Sequence, residues 1–539
     1  MISRIARFPH GLTSGAILAS WAAIAIMGWF IFSSTDGNIT VQGDDVFFIA
    51  RVKPFSLNYF KEIPGRGYLT PFYTLVFDLC GRNTQYTHIF YFTVFALSGC
   101  IWYVVLRKIL GARAALVGAM FYLAYAGKHE TITWISAGAY LIIATVFFLS
   151  VWIALSRLNR NPWTAALAIT GLNWVAVHLC ELLIVAAPLY PVCYWTHARL
   201  SGRRPQRAAL AATFLPLAMF LTHAGLIYLN TPKGAPPLWL RGVNARADAG
   251  VLMRAAGNAL RISARASVGS DHADLVRHGV KGFLRYVPGS RWKLAMLVLS
   301  GTLAAWVLLW QRQKPPAGNG LSRAVVVTVL IAGIYLTFLS PLVGSMQFAL
   351  FMPSRMLTLA GVGLSLLAAL LAAVLTSASR ARAVLTLPVL LLVGAEAMTM
   401  NSILYEHQTS WAYDSRIREQ LLASGIRPRL GDTIYLSLPE HPLQTYWRTG
   451  FSQFEGGHAQ VLLVLDYGML LGNYPVPIER RLFLKSVRRS KENALPVATS
   501  DLPDRTFAFY VRDGDYKLIP LGTLGPGSQS PVGKEAPRP

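Results

Sequence analysis

Residues 134–155 read WISAGAYLIIATVFFLSVWIAL, a run with no charged side chain, and Arg157 and Arg160 follow closely. A helix rising 1.5 Å per residue needs about 20 apolar residues to cross the roughly 30 Å of bilayer hydrocarbon. This stretch meets that length, so it predicts a transmembrane helix ending on a basic loop. Working outward, similar runs lie near 12–33, 86–106, 114–127, 163–180, 182–196, 208–229, 294–310, 324–343, 355–377 and 383–400. About eleven spans are therefore predicted, and the fold class is an α-helical polytopic membrane protein. The first run follows Arg4 and Arg7 and lacks a small-residue cleavage site. It reads as an anchor rather than a removed signal peptide.

Composition supports the same class. Of 539 residues, 54% are hydrophobic and only 14% charged, with a mean hydropathy of +0.43. A soluble enzyme, a disordered chain and a fibrous protein are excluded. Fifty Lys and Arg against twenty-five Asp and Glu leave +25. In a soluble chain that would suggest nucleic acid; in a polytopic one it follows from cytoplasmic loops gathering cations, and no nucleic-acid partner is expected. Arg107, Lys108 and Arg113; Arg157 and Arg160; Arg199, Arg203, Arg204 and Arg207; Arg312, Lys314 and Arg323; and Arg380 and Arg382 mark every second loop. That alternation places the N-terminus in the cytoplasm and the loops 34–84, 128–133, 230–292 and 344–354 outside, with the C-terminal region. The four cysteines show no metal-ligand or framework spacing.

The exterior loop 230–292 is itself basic. Arg254, Arg261 and Arg265 share one helical face opposite Leu252, Ala259 and Ile262, and Arg277, Lys281 and Arg285 form a row at i, i+4, i+8. Such rows suit either helices lying on anionic membrane lipids or a clamp for a substrate phosphate, for which arginine's planar fork is well shaped. Other ionisable groups reach the same face in this topology. Asp44 and Asp45 stand beside Val46, Phe47 and Phe48, where one carboxylate can take a proton while its neighbour tunes it; capping a helix or turn would use the same residues. A short amphipathic stretch, Phe55 to Glu62, reads as interfacial. Lys128, His129 and Glu130 precede Trp134 between two spans, Glu181 begins an apolar run toward Pro188, and Arg355 opens the tenth span. An interfacial turn, a snorkelling carboxylate and a structural ion pair are their simpler uses; the convergence at one membrane face is what points to a site.

At these residues the chain resembles the GT-C superfamily of polytopic glycosyltransferases, which take sugars from polyprenyl-phosphate carriers. Asp44-Asp45-Val46-Phe47 is similar to the family's acidic motif in the first exterior loop. Lys128-His129-Glu130-Thr131-Ile132-Thr133-Trp134 resembles its segment of His and acid before a Trp, with Glu130 where a Pro is usual. Cys180-Glu181-Leu182 through Pro188 resembles a Lys-Glu pair leading an apolar run, with the Lys replaced. Pro353-Ser354-Arg355-Met356-Leu357 is similar to the Arg-containing segment before a late span in the tetratricopeptide-bearing O-mannosyltransferases, whose repeats do not follow here. No Trp-Trp-Asp run of the oligosaccharyltransferase kind occurs. The resemblance implies an inverting transfer from a polyprenyl-phosphate-linked sugar to a hydroxyl of a glycan, lipid or protein acceptor. It implies Asp44 or Asp45 as base, and His129, Glu130 and Glu181 for positioning the acceptor or holding a divalent cation (Mg or Mn). Lys128, Arg355, Arg265, Lys281 and Arg285 would hold the donor phosphate. The rival readings are a flippase or transporter of a lipid-linked glycan and a surface-polysaccharide polymerase or ligase.

Residues 1–400 are accordingly expected to form the membrane module. Residues 401–521 read as a soluble extracytoplasmic α/β domain, with a helix from Ser415 to Leu422, strands at 432–438 and 506–511, and a second apolar run at 461–465. Residues 522–539, rich in Pro, Gly and Ser, read as a disordered tail. The Ala- and Arg-rich usage suggests a bacterial inner membrane.

Overall fold

The computed structural model describes residues 14–39, 69–81, 83–135, 137–158, 160–179, 183, 186–200, 206–230, 249–310, 323–339, 354–378, 384–423, 433–437, 460–463, 506–512 and 515–520. The chain divides into two compact units. One comprises residues 1–37 and 54–405, the other 38–53 and 406–539.

The first unit is helical. In chain order it contains α1 (Ser14–Phe32), α2 (Leu69–Leu79), α3 (Thr84–Leu110), α4 (Ala112–Ala124), the single turn α5 (Glu130–Thr133), α6 (Gly138–Arg157), α7 (Pro162–Leu179), α8 (Leu189–Leu200), α9 (Arg207–Ala212), α10 (Leu215–Asn230), α11 (Ala249–Ser267), α12 (Ser270–Tyr286), α13 (Arg291–Trp310), α14 (Arg323–Ile334), α15 (Thr358–Ala378) and the start of α16 (Leu387–Ala423). Among the described residues, six helices are long and apolar enough to cross a membrane: Gly15–Phe32, Thr84–Leu110, Gly138–Arg157, Arg291–Leu309, Thr358–Thr376 and Val384–Thr409. They coincide with six of the eleven runs read from sequence. The run at 163–180 emerges at full length as α7, and some of the others are shorter or interrupted. The run at 208–229 breaks at Thr213 and Phe214 between α9 and α10, and α14 passes into a π turn at Tyr335–Leu339.

Helix α4 lies at the centre. Every residue from Ala114 to Lys128 is buried, because α3, α15, α1 and α13 surround it. Small side chains let those neighbours approach, as helices without a hydrophobic drive between them require. A Cβ on Gly118 would stand 2.8 Å from Ala369 Cβ and 3.0 Å from the Ser365 carbonyl on α15. The sharp turn from α3 into α4 is made by Gly111, whose φ of 86° lies in the left-handed region that costs glycine least. Polar ties cross the bundle too. Trp102 Nε1 donates to Ser365 Oγ at 2.7 Å, Ser300 Oγ donates to the Ala23 carbonyl at 2.9 Å, and Asn173 joins Ser150 on α6 to Tyr190 on α8.

The second unit contains a four-stranded sheet of order β2-β1-β3-β4, formed by β1 (Thr433–Ser437), β2 (Gln460–Leu463), β3 (Thr506–Arg512) and β4 (Asp515–Pro520). β1 pairs in parallel with both β2 and β3, and β4 returns antiparallel beside β3.

Candidate functional site

Helix α4 has thirteen residues, about 20 Å of rise, which is short of the hydrocarbon thickness. Past it the chain stays buried, apart from a half-buried His129, but is no longer regularly helical, from Tyr125 to Ile135. Non-helical backbone at such depth is tolerated only where protein or a polar cavity satisfies it. Here the accounting is local. His129 N donates to Ala126 O, Ile132 N and Thr133 N donate to His129 O, and Trp134 N donates to Glu130 O.

The amide of Ala126 is served differently: it donates to Glu396 Oε2 at 2.9 Å, from α16. The other oxygen, Oε1, lies 2.6 Å from His272 Nε2 on α12. Glu396 is 2% exposed, so a carboxylate inside an apolar helix is held entirely by protein. Tyr125 stacks on the His272 ring with centroids 5.0 Å apart, and its hydroxyl donates 3.0 Å to the Ser267 carbonyl at the end of α11. Gly361 on α15 makes room, since a Cβ there would meet Tyr125 Cδ1 at 2.8 Å. His272 Nδ1 is buried and has no hydrogen-bond partner among the described residues. With Nε2–H given to the carboxylate, Nδ1 is the ring's remaining acceptor.

Lys128 is wholly buried. Its ammonium donates to the Tyr122 carbonyl, one of the last four of α4, and lies 3.4 Å from the Tyr122 ring centroid and 4.7 Å from that of Phe95. It thus closes the negative end of α4. Next to it, His129 Nδ1 donates to Ala126 O at 3.1 Å, while Glu130 is buried with 7% exposure.

The other residues singled out from sequence are placed as follows. Asp44, Asp45 and Glu181 lie outside the described residues; Arg355 falls in a short 3-10 turn, Ser354–Leu357, beside α15. Arg265 pairs with Asp271 at 2.6 Å, bridging the ends of α11 and α12. Lys281 and Arg285 are exposed on α12, on the side opposite His272 and Phe283. Lys128, His129 and Glu130 therefore share one buried segment, and Lys281 and Arg285 turn away from it. No group of three or more His, Cys, Asp or Glu placed to hold a metal ion occurs among the described residues.

Glu396 and His272 were missed in the sequence. Glu396 carried a signal: a lone carboxylate inside an apolar run is costly and functional by default. His272 carried none, since only the packing of α12 on α16 brings it there.

The chain is similar to the crystal structure of ArnT from Cupriavidus metallidurans bound to undecaprenyl phosphate. Identity is 14%, the match covers 93% of this chain and 94% of that one, and the TM-score is 0.39. No family model matches the chain, and no curated protein matches it.

Proposed function

We propose that this chain is a membrane glycosyltransferase that moves a sugar from a polyprenyl-phosphate carrier to an acceptor hydroxyl at the extracytoplasmic membrane face. The observation that carries the reading is the buried, irregular segment 125–135, tied through Ala126 to Glu396 and through Glu396 to His272. Ionisable groups are kept at that depth at a cost, and one end of the bundle gathers them. The residues quoted for the resemblance belong to the same end in the proposed topology, with the N-terminus cytoplasmic and the residues after α16 outside.

A carboxylate of Asp45 or Asp44 takes the acceptor's hydroxyl proton as the oxygen attacks the anomeric carbon from the face opposite the phosphate. The bond from anomeric carbon to phosphate oxygen breaks, its electron pair leaves on the polyprenyl phosphate, and the sugar inverts. In this reading Arg355, before α15, stabilises that developing charge. Glu130 and Glu181 position the acceptor, and the lipid chain lies between apolar helices.

The test is transfer from a panel of radiolabelled polyprenyl-phosphate sugars by the purified full-length protein, with Asp45→Asn and Asp44→Asn variants and with chelator present or absent. Removing a general base should cost about 10²–10⁴-fold in turnover while donor binding persists. Full activity in both variants would remove the base assignment. A donor that binds and is never consumed across a broad acceptor set would favour transport.

A further inference from the structure

The inner face of α12 is fixed by four contacts, all in the first unit. His272 meets Glu396, Gly279 packs on Thr399, Phe283 sits edge-to-face on Phe30 at 5.6 Å, and the Tyr286 hydroxyl donates to Asn401 Oδ1. At 100° per residue, Arg277, Lys281 and Arg285 fall on the opposite face. All three are exposed. Arg277 pairs with Asp274 at 2.9 Å, and Lys281 and Arg285 have no ion-pair partner among the described residues.

The depth of that face is also fixed. Asn401 Nδ2 donates to the carbonyls of Phe30 and Ile31, where α1 ends, and Ser34 Oγ returns a bond to Asn401 O. Ser300 on α13 bonds Ala23 on α1, so Arg291, nine residues earlier on α13, stands level with the end of α1. A three-residue turn, Val287–Gly289, joins α12 to α13. Helix α12 thus runs where three membrane-crossing helices reach the interface. Exposed apolar groups flank the cations: Leu284 at 55% and Trp292 at 50%. Cations beside exposed leucine and tryptophan at this level match a bilayer interface, with phosphate outside and acyl carbon beneath.

We propose that Arg277, Lys281 and Arg285 on α12, with Arg291 and Trp292 at the head of α13, form a docking surface for anionic phospholipid headgroups. The occupant follows from charge complementarity and from continuity with the α13 span, and the surface is separate from the buried Glu396–His272 pair.

The experiment uses the full-length protein in nanodiscs of phosphatidylcholine alone or mixed with phosphatidylglycerol, with retained lipid counted by native mass spectrometry. Wild type should retain phosphatidylglycerol in preference to phosphatidylcholine. Each interfacial cation is worth about fivefold in lipid affinity, so the triple variant Arg277→Gln/Lys281→Gln/Arg285→Gln should lose about 10²-fold. The charge-keeping pair Arg277→Lys/Arg285→Lys should retain the lipid, and equal melting temperatures verify that all variants fold. No preference in wild type, or an unchanged preference in the glutamine variant, overturns the proposal. Displacement of the lipid by millimolar inorganic phosphate also overturns it, since a free anion would then be the ligand.

Discussion

Both oxygens of Glu396 are used, one on the Ala126 amide and one on the His272 ring. Truncation would leave two buried N–H groups without acceptors, each worth about 1–3 kcal/mol. Glu396→Ala is expected to destabilise the protein in detergent by about 3–5 kcal/mol, the usual cost of breaking a buried pair from one side. Glu396→Gln should cost less, because an amide oxygen still serves Ala126 and His272 can present its other tautomer to the amide group. Thermal or denaturant unfolding of the three proteins checks this, and equal losses for Ala and Gln would show that the hydrogen bonds do not hold the segment. At this scale the sequence was partly readable. Lys128, His129 and Glu130 were found because they interrupt two apolar runs. What each side chain does was not, because that Lys128 turns back to Tyr122 and Phe95 depends on where α3 and α4 cross.

Among elements, α11 and α12 show how one helical pair separates a packed face from an open one. Gly279 lies in the packed face, where a Cβ would come within 2.7 Å of Thr399 Cα, whereas nothing lies within 4 Å of a Cβ on Gly257 of α11. Gly279→Ala should therefore push α12 from α16 and cost about 1–3 kcal/mol, as overpacking does. Gly257→Ala should be neutral or stabilising by up to about 1 kcal/mol, because alanine restricts the unfolded helix. A melting comparison of the two variants decides it; equal destabilisation would mean that α12 is not docked through Gly279. The rows of arginine on these helices were plain in the sequence from spacing alone. Which row would face lipid or water was not, since periodicity defines a face without saying what covers its opposite. The long apolar helices were equally plain, and the break at Thr213 and Phe214 carried its own mark in Pro216, which has no N–H to continue α9 and sits in the first turn of α10.

For the whole molecule, the sidedness of the proposed topology turns on the helices between Asn161 and Ser270. Read from sequence, the runs at 163–180, 182–196 and 208–229 cross three times, an odd number that puts those two residues on opposite sides. The structure gives α7 eighteen residues and α8 only twelve, about 18 Å for α8 against about 30 Å of hydrocarbon. A span so short crosses only if the neighbouring turns complete the passage or the bilayer thins around it. Arg157 and Arg160, exposed at the end of α6, should hold their side in the cytoplasm. In a protein with its four native cysteines replaced, Asn161→Cys and Ser270→Cys both place a thiol at an exposed position. In sealed right-side-out vesicles, a membrane-impermeant maleimide should label the cysteine at 270 directly and the one at 161 only after permeabilisation. Labelling of both from the same side would make α8 a re-entrant segment and reduce the crossings to two. It would also contradict the packing of α6, which alone carries the chain from the end where Ala126 meets Glu396 and His88 meets Thr133 to the end where Lys108 meets Ser156, so the site proposed at the first end would be overturned.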